Sequence, residues 1–559
     1  MADGAVAKAA PDAAPPTPAI PEQAAGGFAA PPLKADGQID WPRLFLAFFA
    51  MTLGQFMAML DIQIVASSLP QIQAGISASA DEVSWIQTAY LIPEVVMIPL
   101  SGYLSRLWGT QKLFMASCAG FTIMSVLTGM SSSIEAMIVT RALQGFIGGA
   151  MIPTVFAIAF TAFPPDKRAT SGAIMGLIVS LAPTIGPTLG GHLTEWLNWR
   201  WLFFVNVVPG ALVLILVGRY GDLDKGDPAL AKGFDWFGLA SMAAFLMSLQ
   251  YVLEEGNRKG WFEDDTIVGL AALAAVSGVL FIWRQVTYRQ PIIQVKALKD
   301  INFSLGLIIN FCNGATVFGG TFLIPLFLGR VQHFSSAQVG TTMLVSGVTM
   351  LMIAPVAGRV VRMFDPRIPL VLGLLIAAIG VWTGHAVTAN WTFWDFAWMQ
   401  ALRSFGVMLA MIAGQMLAMS TIDPMLMKSA SSLLNLFRNT GGAVALALLS
   451  SQLTRSTAEH MNALTSAVSV SSGQAQAMMA GLAHRMGAMG AADPQGAARK
   501  AFNYMIFQDA QVLAFADGFA LMAALCLAAT LLALIARPGS LQAQFGGSPA
   551  FGPKSEPAH

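Results

Sequence analysis

The sequence predicts an all-α polytopic membrane protein, folded as two six-helix bundles with two further helices inserted between them. Three observations predict it. Only 11% of the residues are charged and 55% are hydrophobic, against ~25% charged in an average soluble domain. Apolar runs of about 20 residues, long enough to cross ~30 Å of hydrocarbon as helices, recur along the chain. Two short basic segments, far apart in sequence, match each other at one constant offset.

Residues 1–42 are rich in Ala, Pro and Gly and lack the basic start and apolar core of a cleaved signal. They read as a disordered cytoplasmic tail. Apolar runs then fall at 43–67, 83–105, 112–130, 135–161, 170–193, 200–218, 235–254, 266–284, 302–329, 337–361, 368–388, 393–421, 429–453 and 511–536, which makes fourteen transmembrane helices. Connections from even to odd runs carry Arg106, Lys112, Lys167, Arg168, Arg219, Lys232, Arg284, Lys299, Arg359, Arg362 and Lys428, among others. Those on the other side carry only Arg200, Arg258, Lys259 and Arg330. Positive charge favours the inside, so both termini are expected in the cytoplasm. The polar, Ala/Met/Ser-rich connection 455–510 is expected to form an external cap or mobile loop.

The repeat sits at the ends of the second and tenth runs. Pro99, Gly102, Arg106 and Trp108 map onto Pro355, Gly358, Arg362 and Phe364, and Ala142-Leu143 aligns more weakly with Ala401-Leu402. The expected units are therefore 43–219, a first six-helix bundle; 220–299, two inserted helices with linkers; and 300–537, a second bundle that includes the external loop. A cytoplasmic tail, 538–559, follows. Halves of this kind place a ligand site near the midplane and rock between two open states. Cys118, Cys312 and Cys526 all lie within apolar runs and imply no disulfide framework.

Three ionisable groups stand where hydrocarbon or protein should be the only solvent. At ~1.5 Å per helical residue, Asp61 and Arg141 both fall in the outer halves of their helices, and Glu94 falls near the middle of its own. Charges at such depth are costly, by roughly 2.5–3.5 kcal/mol on insertion scales, and are functional by default. A carboxylate beside Arg141 stays ionised, whereas one deprived of a cation or desolvated takes up a proton. Asp61, Glu94 and Arg141 are thus the candidates for proton coupling. The plainer readings are a structural Asp61–Arg141 pair and a Glu94 that faces a water-filled vestibule without titrating. Gln63, Gln144, Asn310, Asn313, Arg403 and Arg438 are candidates for lining the cavity. Asp517, near the start of its run, reads as interfacial.

GPTLGG, residues 186–191, lies within the fifth run. Pro187 removes a backbone donor, Pro183 precedes it by one turn, and Gly186, Gly190 and Gly191 permit close approach of a neighbour. The functional reading is a hinge or seal between the halves; the plainer one is a small-residue packing face. The 31 Met and 35 Phe residues would make any cavity wall soft and apolar. No GxxxxGK[ST] loop, HExxH pair or GxSxG elbow is present, and the six His have no metal-ligand spacing. The reading is therefore a non-enzyme with no cofactor and no metal, driven by an ion gradient or by nothing. Its expected partners are the bilayer, protons and a lipophilic small molecule. The net charge of +1 carries no signal for nucleic acid, which is not among them.

LDIQIVASSLP (60–70), RALQGFIGGA (141–150) and GPTLGG resemble the helix 1, helix 4 and helix 5 motifs of the major facilitator superfamily, and within it of the fourteen-helix drug:proton antiporters of the EmrB/QacA type. The resemblance spans roughly 43–540. It implies a plasma (inner) membrane location, Asp61 and Arg141 in proton coupling, and Gly186, Pro187, Gly190 and Gly191 in the antiport cycle. It also implies, for double-membraned bacteria, a periplasmic adaptor and an outer-membrane channel as partners. The loop GYLSRLWGTQ departs from the family pattern, which carries an aspartate where Arg106 stands. Gly102, Arg106 and Gly109 are expected at the cytoplasmic gate, with Arg106 paired to another acid or the gate held otherwise.

The function expected is proton-coupled efflux of lipophilic compounds, cationic drugs among them. The alternatives are export of a specific metabolite or siderophore, proton-coupled uptake, a passive channel and a membrane-embedded enzyme. The channel leaves the repeat and the buried charges unexplained, and the enzyme lacks a catalytic cluster.

Overall fold

The computed structural model describes residues 32, 39–221, 224–423, 426–467, 473–490 and 492–536. The expected tails, 1–42 and 538–559, lie outside these apart from residues 32 and 39–42. Each apolar run falls on a helix. The first half comprises α1 (Trp41–Ser67), α2 (Trp85–Trp108), α3 (Thr110–Met130), α4 (Ile134–Thr161), α5 (Pro165–Trp196) and α6 (Val207–Tyr220). Two inserted helices follow, α7 (Trp236–Glu255) and α8 (Asp265–Thr287). The second half comprises α9 (Ile301–Arg330), α10 (Ser336–Met363), α11 (Arg367–Thr383), α12 (Phe393–Ser420), α13 (Met427–Ala467) and α15 (Pro494–Leu534), with α14 (Gly473–Ala488) standing between the last two.

Among the described residues, 11 helices are long and apolar enough to cross a membrane. The helices α2, α5, α13 and α14 fall outside that set. Of the two forms expected for the connection 455–510, cap or loop, the described residues are mostly helical and not a loop: α13 runs on to Ala467, α14 spans Gly473–Ala488, and α15 begins at Pro494. Its many Ala, Met and Gln residues are good helix formers, so a polar composition here goes with solvated helix. Asp517, expected as interfacial, accepts through Oδ2 from His460 Nε2 at 2.8 Å and so ties α15 to α13.

Within each half the helices pack around apolar cores, and the halves meet through α5, which crosses to α10 and α12, and α13, which crosses to α2, α4 and α7. Glycine sets the closest of these approaches. A Cβ at Gly102 of α2 would lie 2.6 Å from Ser432 Oγ of α13, and one at Gly340 of α10 would lie 2.3 Å from Thr188 Oγ1 of α5. The first contact is at the face where α1 begins, the second at the opposite face. The halves therefore touch at both ends, with the buried charges enclosed between.

The repeat recurs as a single hydrogen bond. Arg106 Nε donates to the Gly102 carbonyl at 3.3 Å, and Arg362 Nε donates to the Gly358 carbonyl at 3.1 Å. The same arginine closes the same turn at the end of α2 and of α10.

Candidate functional site

Arg141 and Asp61 meet in the first half. Arg141 Nη1 donates to Asp61 Oδ2 at 2.6 Å, and neither side chain has exposed surface. The helices α2 and α4 come close enough to enclose the pair because Gly145, one turn beyond Arg141, has no side chain: a Cβ there would lie 2.1 Å from the Tyr90 carbonyl oxygen. The Tyr90 ring then lies under the guanidinium, 4.3 Å from its carbon, a favourable cation–π geometry. Arg141 also donates to Gln144 Oε1 at 2.9 Å and, through Nε, to the Ile86 carbonyl at 3.2 Å.

The carboxylate has neutral donors as well. Asn206 Nδ2 donates to Asp61 Oδ1 at 2.8 Å and to Ser125 Oγ at 3.0 Å, and Gln144 Nε2 donates to Oδ1 at 3.3 Å. A buried ion pair offsets its desolvation only when such further hydrogen bonds exist. The network links α1, α3, α4 and the start of α6, so neutralising Asp61 by a proton would loosen four elements at once. Asn206 escaped the sequence reading, although a lone amide in the apolar run WLFFVNVVPG was a usable signal. Tyr90 offered no signal, since an aromatic in an apolar run is ordinary.

Glu94 lies apart from this network. It is 4% exposed and makes no hydrogen bond or ion pair among the described residues. Its stem packs on Gly149, where a Cβ would lie 3.2 Å from Glu94 Cγ.

The second half repeats the first with the charges rearranged. RALQGF, 141–146, aligns with QALRSF, 400–405, so arginine and glutamine exchange places. Gln400 and Arg403 hold Ser346 between them: Ser346 Oγ donates to Gln400 Oε1 at 2.8 Å and accepts from Arg403 Nη2 at 3.1 Å. Arg403 Nη1 also donates to the Thr316 carbonyl at 3.4 Å. Arg403 thus rests on neutral oxygens, where Arg141 has a carboxylate. Arg438, 3% exposed, has no hydrogen-bond partner on any guanidinium nitrogen among the described residues, and its guanidinium carbon lies over the Phe156 ring of α4, 5.6 Å from the centroid. Asn310 Nδ2 donates to the Leu434 carbonyl at 2.8 Å, whereas Asn313 Oδ1 is buried without a partner.

The α5 motif splits by face. A Cβ at Gly186 would lie 2.4 Å from Gln63 Cβ, and one at Gly190 would lie 2.8 Å from Ser67 Oγ and 3.0 Å from the Ile64 carbonyl. Gly191 has nothing within 4 Å among the described residues. Two of the three glycines therefore seat α5 on α1, and the third does not. The helix runs unbroken through 183 and 187; the side chain of Pro183 lies outside the described residues.

At the face where α1 begins, Arg106 pairs with no acid among the described residues; its bond is to the Gly102 carbonyl. The acid comes from elsewhere. Asp224, in the linker after α6, accepts from Thr110 N at 2.8 and 2.9 Å and from Thr110 Oγ1 at 2.6 Å, so it caps the start of α3. Lys428, at the start of α13, donates to Asp224 Oδ2 at 2.5 Å and to the Ser105 carbonyl at 3.3 Å. This buried pair joins the two halves. Gly109 makes the turn into α3 with φ +88°, a region that favours glycine. In the second half the cap is local: Asp365 accepts from Arg367 N at 3.0 Å at the start of α11. Burial pushes the Asp365 carboxyl up, but hydrogen bonds and the charge of Arg367 outweigh it and hold it below the usual carboxylate range.

Two helical halves that enclose buried charges and touch at both faces define a multi-pass membrane transporter. The sequence model of the Major Facilitator Superfamily matches residues 51–446. The colistin resistance protein EmrB of Acinetobacter baumannii is 37% identical over 429 residues, 77% of this chain and 84% of that protein. The multidrug export protein EmrB of Escherichia coli K12 is 26% identical over 446 residues, 79% of this chain and 86% of that protein. The crystal structure of the human organic anion transporter MFSD10 superimposes with a TM-score of 0.55 at 14% identity, covering 88% of this chain and 99% of that one, which shows the fold alone. The chain belongs to the Major Facilitator Superfamily, among its EmrB-type drug:proton antiporters.

Proposed function

We propose that this chain exports lipophilic compounds in exchange for protons, by alternating access between its two halves. The observation that carries the reading is the fully buried Asp61–Arg141 pair at 2.6 Å, a charge pair placed where only a proton can neutralise the acid. Protonation of Asp61 removes the attraction to Arg141 and the acceptor strength that holds Asn206 and Gln144. Deprotonation restores both. The helices α1 and α5, seated on each other at Gly186 and Gly190, carry that change to α10 and α12 across the seam. The names of the similar proteins, which speak of multidrug export and colistin resistance, support a drug-like cargo.

In the same reading the chain crosses the plasma (inner) membrane fourteen times with both termini in the cytoplasm, and the units are those expected at 43–219, 220–299 and 300–537. The Asp224–Lys428 pair then closes the cytoplasmic side. A periplasmic adaptor and an outer-membrane channel fit a pump of this class.

The test is transport in proteoliposomes under an imposed pH gradient, wild type against Asp61→Asn. Asn is expected to abolish gradient-driven export while the protein remains folded and inserted. Coupled transport at the wild-type rate by Asp61→Asn would refute the assignment.

A further inference from the structure

The five buried ionisable groups of the transmembrane core, Asp61, Glu94, Arg141, Arg403 and Arg438, carry three positive charges and at most two negative ones. Arginine keeps its proton in proteins, so the surplus cannot titrate away. Asp61 is committed to Arg141. Arg403 has Ser346 and Thr316. The cation left without a hydrogen bond among the described residues is therefore Arg438, with Nε, Nη1 and Nη2 all unpartnered.

Its surroundings fit a ligand better than a structural role. Arg438 lies eleven residues into α13, roughly 17 Å from the start of that helix, too deep for a lipid headgroup. It reaches from the second half to the first, where the Phe156 ring covers one face of the guanidinium and leaves the edge with its five donors free. Asn435 Oδ1, one turn earlier on α13, is also buried and unpartnered. Glu94 on α2 is the acid within electrostatic reach, yet it forms no ion pair with Arg438. A buried cation without an acid is strongly unfavourable, and a planar fork of donors matches a carboxylate in bidentate fashion.

We infer that Arg438 receives an anionic group, of carboxylate type, on the transported molecule, whose apolar body rests against Phe156 at the seam between the halves. The inference rests on the export reading and narrows its cargo from lipophilic compounds in general to lipophilic acids, away from the cationic drugs the sequence suggests. The ligand enters when the halves part at one face and is enclosed when they touch at both.

The experiment uses three probes with one apolar body: pyrenebutyrate, its neutral amide and pyrenebutylammonium. Equilibrium binding to the purified full-length protein in nanodiscs is read by fluorescence anisotropy, with no gradient present. Wild type is expected to prefer pyrenebutyrate to the amide by about tenfold, the worth of a hydrogen bond to a charged group. Arg438→Gln should abolish that preference by weakening pyrenebutyrate binding more than amide binding, and Arg438→Lys should retain part of it. A wild-type preference for the ammonium probe, or none among the three, would overturn the inference. So would an equal loss of all three probes in Arg438→Gln, which would mark a packing residue. Should Arg438→Gln fail to fold, the wild-type preference and its reduction in Arg438→Lys decide. Gradient-driven export is measured separately in proteoliposomes, so a protein that binds the acid but exports nothing counts against the export reading alone.

Discussion

Lys428 and Asp224, 204 positions apart, meet at 2.5 Å with side chains 5% and 0% exposed. One begins the thirteenth helix and the other lies in the linker after the sixth, so the contact exists only while the two halves are together at that face. The family loop offers an aspartate of its own for this region, and here Arg106 has displaced it. Asp224 supplies the missing carboxylate and turns it toward a lysine of the other half.

Removing one member of this pair leaves the other buried and unpaired, at a cost of about 3–5 kcal/mol. Asp224→Asn and Lys428→Met are each expected to expose this face. The reporter is alkylation by a maleimide of Ser432→Cys, which is 1% exposed in its native form, on a background without Cys118, Cys312 and Cys526. Alkylation should accelerate by at least about tenfold in either single variant and by less in the double variant, where no lone charge remains. Equal rates in wild type and both singles would exclude the latch.

Asn206→Leu should lower stability by about 1–3 kcal/mol, because Asp61 Oδ1 then keeps only the weaker Gln144 donor, at 3.3 Å. Thermal unfolding of the purified protein measures this. A variant as stable as wild type would show that the amide contributes nothing to holding the pair.

The α5 glycines should separate by face. Gly186→Ala and Gly190→Ala drive a methyl group into α1, whereas Gly191→Ala meets open space and gains up to about 1 kcal/mol of helix propensity. Unfolding temperatures should therefore fall for the first two and hold or rise for the third. Gly145→Ala and Gly314→Ala should be worse still, since their Cβ atoms would lie 2.1 Å and 2.0 Å from backbone carbonyl oxygens, which cannot swing aside. A drop for Gly191→Ala as large as that for Gly190→Ala would contradict the packing described.

Pro187→Ala restores a backbone donor in the middle of α5. It should slow turnover in proteoliposomes more than it weakens equilibrium binding of the cargo. Unchanged turnover with a large loss of affinity would argue against a hinge at this position.

The architecture was legible because bilayer thickness imposes a length on every spanning helix, and the chain writes that length repeatedly. Asp61 and Arg141 were legible for a related reason, as lone charges in runs that otherwise exclude them. Asn206 was harder: it is neutral, so it disturbs the hydropathy of its run little, and its partner is 145 residues away. Asp224 was harder again, since a charge in a linker looks solvated until the fold buries it. The connection 455–510 is harder to read, because its polarity suits a mobile loop as well as a cap, while its Ala-rich composition favours helix. The exchange of arginine and glutamine between α4 and α12 stood in the sequence, but only the contacts give it meaning. One half keeps its carboxylate and the other holds bare positive charge.

The two 41-residue helices, α13 and α15, are each ~60 Å long, twice the hydrocarbon thickness. Their surplus stands beyond the face opposite the start of α1, braced by α14 and by His460 against Asp517. A shaft of that length multiplies any tilt: a lean of about 10° inside the bilayer would carry a tip ~30 Å away through about 5 Å.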